Sequence, residues 1–394
     1  MNVLHVLYQS HPDISGSSIR SKSLVESQYE AGIRPVVVTS PFQQGYDKNV
    51  SIENINNIKY YRTNKKDYGK IGQKKNLAVL VSKLLSGFSF YKKVREIAKS
   101  EQIDIIHAHA MFYCGITAWL VAKKMNIPFV YEIRSVWEEN ENYSSNILRK
   151  IFRFLEHYVS LKANAVVVIN QSLKDKFLNS NSKIYVVPNA INDRLISINK
   201  TMSVPHVDEQ KIFPRFGYVG SLNKYEGLDY VIKAFALLDA NGIHPTLNIF
   251  GEGPMMEELV KLKNKHSLSF VNILGSVAYE KINDAFSEID CIINYRIKLN
   301  ITNTVTPLKP LEALAYKKLF IGSDVNGIKE LLSDFNGLLL VKSNSVIELS
   351  KVIQDVYTNF EKYYNNINEG FEYVKYRTWS VNASRYKEIY SKLL

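Results

Sequence analysis

Short β-branched runs alternate along the chain with stretches whose apolar residues recur at helical spacing, a pattern that predicts parallel α/β layers. In the first half, strands are expected at Val3–Tyr8, Pro35–Ser40, Ile103–His109, Pro128–Ile133, Ala165–Ile169 and Ile184–Val187. In the second half they are expected at Arg215–Val219, Thr246–Phe250, Phe270–Gly275, Cys291–Asn294, Leu319–Gly322 and Gly337–Val341. Helical periodicity falls between them, for example over Ile19–Ala31, Thr117–Lys124, Leu228–Leu238 and Met255–Lys265. Between about Asn192 and Phe213 the pattern fades into a polar stretch containing Pro205, which reads as an inter-domain linker. The expectation is two facing doubly wound domains, 1–200 and 201–376, with a cleft between them. A last segment, 377–394, carries Val381, Tyr386, Ile389, Tyr390 and Leu393 at helical spacing and is expected to pack back on the body.

Composition narrows the class. A length of 394 residues with 46% hydrophobic content provides ample core for such a pair of domains. Cys114 and Cys291 lie far apart, so neither a disulfide framework nor a cysteine zinc site is expected, and a reduced cytoplasmic setting fits. No apolar run approaches the length of a membrane span, and Met1–Tyr8 reads as a first strand, not a signal peptide. The formal charge of +12 points to nucleic acid, anionic lipid or a phosphate-bearing substrate. Nucleic acid ranks low, because there is no zinc finger, RNA-binding signature or basic heptad region; much of the excess is dispersed lysine.

In open parallel sheets ligands bind beyond the carboxyl ends of the strands, so the loops after strands carry the candidate chemistry. Thr306-Pro307-Leu308-Lys309-Pro310-Leu311-Glu312-Ala313 reads as a loop entering a helix. Thr306 suits the N-cap and Pro307 the first helical position, leaving free N–H groups at the helix mouth. Lys309 adds a cation that the helix dipole alone would disfavour, which makes sense if a phosphate sits there. Glu312 is placed to accept hydrogen bonds from hydroxyls. A capped surface helix with a solvated Lys and Glu would look the same.

Other loops follow the same logic. After the first strand, Gly16 and Ser17 lie in a Ser-rich turn before a helix, without the glycine spacing of a dinucleotide fold or P-loop. His107 and His109 share one face of a strand; no third metal ligand with convincing spacing is apparent, so one is expected to line the cleft and the other to pack. Arg134 follows a strand end, where a guanidinium can hold phosphate or sugar oxygens, while Glu138 and Glu139 read as a solvated acidic loop. Gly220, Ser221, Asn223 and Lys224 form a strand-to-helix turn suited to phosphate, and Gly251 and Gly253 mark another where backbone can approach a ligand. No Asp-x-Asp occurs, so a paired-carboxylate seat for a nucleotide-bound metal is missing.

Taken in order, the Gly16–Ser17 loop, His107-Ala108-His109, Val187-Pro188-Asn189, Gly220-Ser221, Gly251-Glu252-Gly253-Pro254 and Glu312-Ala313 resemble glycosyltransferase family 4 over nearly the whole length. Tyr131-Glu132-Ile133-Arg134, Tyr225-Glu226-Gly227-Leu228-Asp229 and Thr306-to-Ala313 resemble a bacterial exopolysaccharide-associated subgroup. The resemblance implies the GT-B fold, with the acceptor on the first Rossmann-like domain and the nucleotide-sugar donor on the second. It also implies retaining transfer from a nucleotide diphosphate, by analogy UDP, without a metal or other cofactor. The implied partners are a nucleotide-sugar donor and a glycan or lipid-linked acceptor. Three departures stand out. Gly220-Ser221 and Glu226-Gly227 lack the family's Arg and Lys; Thr304 replaces the first of two glutamates spaced eight apart; Arg134 stands where many members have a His. Lys309, Lys224 and Arg134 are the expected replacement cations, and Arg134, Lys309 and His109 the catalytic candidates.

Two basic segments bear on location. Lys65–Lys75 holds five lysines against Asp67. Leu148–Lys162 predicts an amphipathic helix with Leu148, Ile151, Phe152, Leu155, Tyr158 and Val159 on one side, charged by Arg149, Lys150, Arg153 and Lys162. Such a helix either covers the core or lies on anionic membrane at its cytoplasmic face. Two competing functions remain open on these residues: a sugar-nucleotide epimerase, and a catalytically silent sugar-nucleotide-binding subunit.

Overall fold

The computed structural model describes residues 1–13, 15–43, 45–47, 49–63, 77–109, 111–136, 146–181, 183–200, 213–278 and 281–394. The basic run 65–75, Glu138, Glu139 and the middle of the expected linker, 201–212, lie outside these residues. The chain divides into two compact units, one of residues 1–189 with 379–394 and one of residues 190–378.

The first unit runs β1 (Asn2–Leu7), α1 (Gly16–Glu30), β2 (Arg34–Thr39), β3 (Ile52–Ile55), β4 (Ile58–Tyr61), α2 (Leu77–Ser100) and β5 (Ile105–His109). It continues through α3 (Phe112–Met125), β6 (Phe129–Ile133), α4 (Asn146–Lys162), β7 (Ala165–Val168), α5 (Gln171–Phe177) and β8 (Ile184–Val186). The sheet order is β3-β4-β2-β1-β5-β6-β7-β8. All ladders are parallel except β3 with β4. That hairpin escapes the hydrophobic pattern, because Ile52–Ile55 and Ile58–Tyr61 are short and mixed. Its signal is Asn56-Asn57, whose φ values of 51° and 65° suit a tight two-residue turn.

The second unit runs α6 (Asp193–Asn199), β9 (Phe216–Val219), α7 (Leu228–Asp239), β10 (Leu247–Phe250), α8 (Met256–Lys265), β11 (Val271–Gly275), α9 (Ile282–Ser287) and β12 (Cys291–Asn294). It continues through α10 (Asn300–Thr304), α11 (Lys309–Ala315), β13 (Leu319–Ser323), α12 (Asn326–Leu331), β14 (Leu339–Val341), α13 (Val346–Thr358) and α14 (Tyr364–Val374). Its parallel sheet has the order β11-β10-β9-β12-β13-β14. The central strands are buried on both faces, which is why they appear in the sequence as unbroken apolar runs.

The boundary between units falls between Asn189 and Ala190, earlier than residue 200, because Leu195 and Ile196 of α6 pack into the apolar cluster around Leu311 and Phe320. The last helix, α15 (Trp379–Ser391), lies in the first unit against α1. No helix among the described residues is long and apolar enough to cross a membrane.

Candidate functional site

In the first unit, β1, β5 and β6 are neighbours, and their registers place His5 beside His107 and His109 beside Glu132. Alternation therefore puts all four side chains on one sheet face. α1 covers that face with Arg20, Ser21 and Gln28, and α15 covers it with Tyr386 and Tyr390. Glu132 is fully buried and saturated. Its Oε1 accepts from Arg134 Nε at 2.7 Å and Arg20 Nη2 at 3.0 Å, and its Oε2 accepts from Tyr386 at 2.7 Å.

Donor chemistry then sets every tautomer in the cluster. A guanidinium only donates, so the Arg134 contact makes His109 Nδ1 an acceptor and leaves the proton on Nε2. His109 Nε2 donates to His5 Nδ1 at 2.9 Å, and His5 Nε2 donates to Gln28 Oε1 at 2.9 Å. Gln28 Nε2 donates to the Tyr390 hydroxyl at 3.2 Å, which donates to His107 Nδ1 at 2.7 Å. His107 Nε2 faces Glu132 Oε2 at 3.3 Å without a well-formed hydrogen bond, so the chain of hydrogen bonds ends in an electrostatic contact with the carboxylate that holds Arg134. Burial lowers His5 and His109 well below the usual histidine value; His107 and Arg134 add to the lowering, and the Glu132 carboxylate opposes it. Burial alone would raise Glu132, but Arg134 and Arg20 hold it well below the ordinary carboxylate range.

Neither His107 nor His109 lines an opening: their exposures are 0% and 2%. His5 supplies the third imidazole that spacing along one strand could not reveal, and the three rings offer nitrogens within 4.8 Å of one another. They fit a polar core better than a cation seat, since five of their six nitrogens hydrogen-bond within the cluster, His107 Nε2 faces the Glu132 carboxylate, and two guanidiniums stand beside them. His109, with both nitrogens taken, orients Arg134. The side chain of Arg134 is 9% exposed, and its guanidinium also donates to Ser21 Oγ at 2.7 Å and to the Ser17 carbonyl at 3.4 Å. Gly16 opens α1 with empty space where a Cβ would stand, behind the Ser15 N-cap.

The second unit gathers the other candidates around three glycines. Gly220 and Gly251 have φ of +148° and +150°, conformations that a side chain disfavours. A Cβ on Gly251 would lie 1.8 Å from the Gly220 carbonyl oxygen, and one on Gly253 would lie 2.6 Å from that of Leu222. A Cβ on Gly220 would lie 2.4 Å from Lys309 Cε. The Lys309 side chain thus runs across Gly220, with Nζ 5.3 Å from the centre of the Tyr218 ring. Beneath it, buried Glu226 faces Lys309 Nζ at 3.5 Å and Arg296 Nε at 3.7 Å, and accepts from Asn294 Nδ2 at 2.8 Å. Burial pushes Glu226 up, but Lys309 and Arg296 bring it below the usual carboxylate value.

α11 starts at Lys309, not at Pro307. Leu308 occupies the cap position without a side-chain hydrogen bond, and Pro310 lies in the first turn, where its missing N–H is harmless. Thr306 is buried at 4% exposure and does not cap the helix. Glu312 is half-buried, and its carboxylate has no hydrogen-bond partner among the described residues. Burial raises its pKa, opposed by Lys309. Ser221 and Lys224 are exposed, and Asn223 donates to the Tyr225 hydroxyl at 3.1 Å. The sequence reading assigned no role to Glu132, Glu226, His5, Arg20, Gln28, Asn294, Arg296, Tyr386 or Tyr390. The available signal was polar residues inside otherwise apolar buried strands, as at His5, Glu132 and Asn294.

Residues 14–195 match the family model described as Glycosyltransferase Family 4, and residues 204–372 match that described as Glycosyl transferases group 1. The chain belongs to glycosyltransferase family 4. This glycosyltransferase is a hexosyltransferase-type enzyme of GT-B fold. It is similar to an uncharacterized glycosyltransferase of Methanocaldococcus jannaschii, 21% identical over 399 residues, covering 100% of this chain and 99% of that one. Among solved structures it resembles the sucrose-phosphate synthase of Thermosynechococcus elongatus, with a TM-score of 0.78 and 15% identity, covering 100% and 99% of the two chains. It also resembles Anabaena HepE in complex with UDP-glucose, with a TM-score of 0.71 and 17% identity, covering 100% of each.

Proposed function

We propose that this glycosyltransferase moves a sugar, with retention of configuration and without a bound metal, from a nucleotide-diphosphate donor to a glycan or lipid-linked acceptor. The bond from the sugar C1 to the diphosphate breaks, a bond from C1 to an acceptor oxygen forms, and the acceptor hydroxyl proton leaves with the diphosphate. The observation that carries this reading is Lys309, laid across Gly220 at a strand end with the partnerless Glu312 carboxylate in the same short helix. Lys309 would hold the leaving diphosphate and Glu312 the ribose hydroxyls, with Gly251, Gly253, Ser221, Asn223, Lys224, Thr306 and Leu308 lining the donor. Arg134, oriented by Glu132 and His109, is the first unit's cation for sugar or phosphate oxygens, beside the Gly16–Ser17 turn. Catalysis would rest on positioning and on stabilising the departing anion.

UDP is the proposed nucleotide, supported by the UDP-glucose bound to HepE. The proposed setting is bacterial surface polysaccharide synthesis at the cytoplasmic face of the membrane. Thermal shifts with a panel of UDP- and GDP-sugars, with and without chelator, test the donor. Selective stabilisation by one donor, unchanged by chelator and lost in Lys309→Ala and Glu312→Ala, is the expected result. Lys309→Ala should slow turnover about ten- to a hundredfold, the worth of one charge-assisted hydrogen bond; a near-normal rate would sink the assignment. Donor binding without turnover would favour the silent subunit, the reading that Thr304 in place of a glutamate keeps open.

A further inference from the structure

α4 carries more apolar surface than its core contact uses. Val159 is buried, Phe152 and Leu155 are partly buried, and Gly115 of α3 lets the two helices close on each other, since a Cβ there would meet Val159 Cγ1 at 2.6 Å. The expected single stripe is therefore split, with Ile151 on the solvent side. A second stripe, Ile147, Ile151, Phe154 and Leu161, points outward in steps of four, three and seven residues, with Ile147 71% and Phe154 66% exposed. The exposed charged side chains of α4, Lys150, Arg153 and Lys162, are all positive. The one carboxylate of α4, Glu156, is buried and accepts from the Phe112 N–H and the Tyr131 hydroxyl.

The neighbouring helices extend this face. α3 contains no acidic residue and ends in exposed Lys123 and Lys124. Between α2 and α3 lies an open groove of about 660 Å3, lined by Phe88, Tyr91, Phe112, Tyr113, Ile116 and Leu120 and rimmed by those two lysines. Phe88 is 61% exposed, with Lys92 Nζ 4.5 Å from its ring centre. Apolar side chains among cations on three adjoining helices are matched by a surface that is apolar inside and anionic outside. A second copy of the chain would bring these cations against one another.

We propose that α2, α3 and α4 form a docking face for an anionic lipid bilayer, with the exposed α4 stripe inserted at the headgroup boundary and a lipid chain in the α2–α3 groove. The proposal deepens the membrane-face reading above by naming its surface. It is tested without turnover, so its failure leaves the donor-side reading standing, and failure of that reading leaves it standing in turn. Full-length protein is floated with phosphatidylcholine vesicles with and without phosphatidylglycerol, at low and high salt. The expected result is flotation that requires phosphatidylglycerol and weakens with salt. Ile151→Ser with Phe154→Ser should reduce partitioning at least about tenfold, as should Lys124→Glu with Lys150→Glu, and Phe88→Asp should give a smaller loss. All these side chains are exposed, so melting temperature and donor binding should stay unchanged and report folding. No flotation by the wild type, equal flotation with neutral vesicles, or wild-type flotation by the apolar double variant would each overturn the proposal. So would a lipid-free dimer abolished by that same variant, which would assign the face to a second copy.

Discussion

Each unit buries a carboxylate between two cations, yet the two are held differently. Glu132 accepts from Arg134, Arg20 and Tyr386 at 2.7–3.0 Å, within a circuit that binds three strands and two helices. Glu226 meets its two cations only at 3.5 and 3.7 Å, and Arg296 Nε and the Asn294 side-chain Oδ1 beside it have no hydrogen-bond partner among the described residues. Lys309 keeps 20% of its side-chain surface open. Saturated hydrogen bonding fixes geometry, whereas a loosely held cation beside a partnerless carboxylate remains free to bind something else. The first unit's polar cluster thus holds its own members in place, whereas the second unit's leaves part of Lys309 and the Glu312 carboxylate uncommitted.

The sharpest way to break this comparison is to remove each carboxylate. Glu132→Ala leaves Arg20 and Arg134 buried without a counter-charge and should cost about 3–5 kcal/mol. Glu226→Gln keeps an acceptor near Lys309 and Arg296 and should cost clearly less. Urea unfolding of both variants measures this, and equal losses would erase the distinction.

Acid separates the units next. All three circuit histidines are held below their ordinary value, so the folded first unit refuses protons that the unfolded chain takes up. Their contribution is complete above about pH 6.5 and is lost as pH falls below it, by up to about 4 kcal/mol per pH unit while all three stay neutral. Glu132, also depressed, continues the loss through the carboxylate range. Glu312 has the opposite sign: its raised pKa favours folding at low pH, and that contribution fades as it ionises. Hydrogen exchange of β1 and β5 against β9 and β12 should show the first pair losing protection between about pH 7 and pH 5.5; parallel behaviour would contradict the assigned protonation states.

The smallest effect expected is that of Tyr390→Phe. It removes the link between Gln28 and His107 and should cost about 1 kcal/mol. Its informative readout is kcat, which should fall while donor affinity in the second unit is unchanged. A loss of donor affinity with kcat preserved would show that the circuit does not serve Arg134.

Much of the fold was legible because its strands are buried on both faces and so appear as apolar runs. What escaped was short or mixed: the β3–β4 hairpin, and the start of α11, where Thr306 and Pro307 looked like a cap and first turn but helical geometry begins at Lys309. Of the candidate site, the strand-end turns at Gly220 and Gly251 were legible, since glycines at strand ends are local signals. The partners of those loops were not. His107 and His109 suggested a pair along one strand, while the third ring comes from β1, more than a hundred positions away in the chain.

The sequence by itself therefore determined the alternation of strand and helix, the surplus of positive charge and the positions where backbone had to pass closely. Local periodicity and chain stereochemistry suffice for those. The tertiary structure alone decided which charges are spent on the protein and which stay available. Gln28 and Tyr390, 362 residues apart, share one hydrogen bond, and Glu132 meets Arg20 and Tyr386 only through folding. Protonation state and cation availability depend on distances through space and on burial, which no linear spacing encodes.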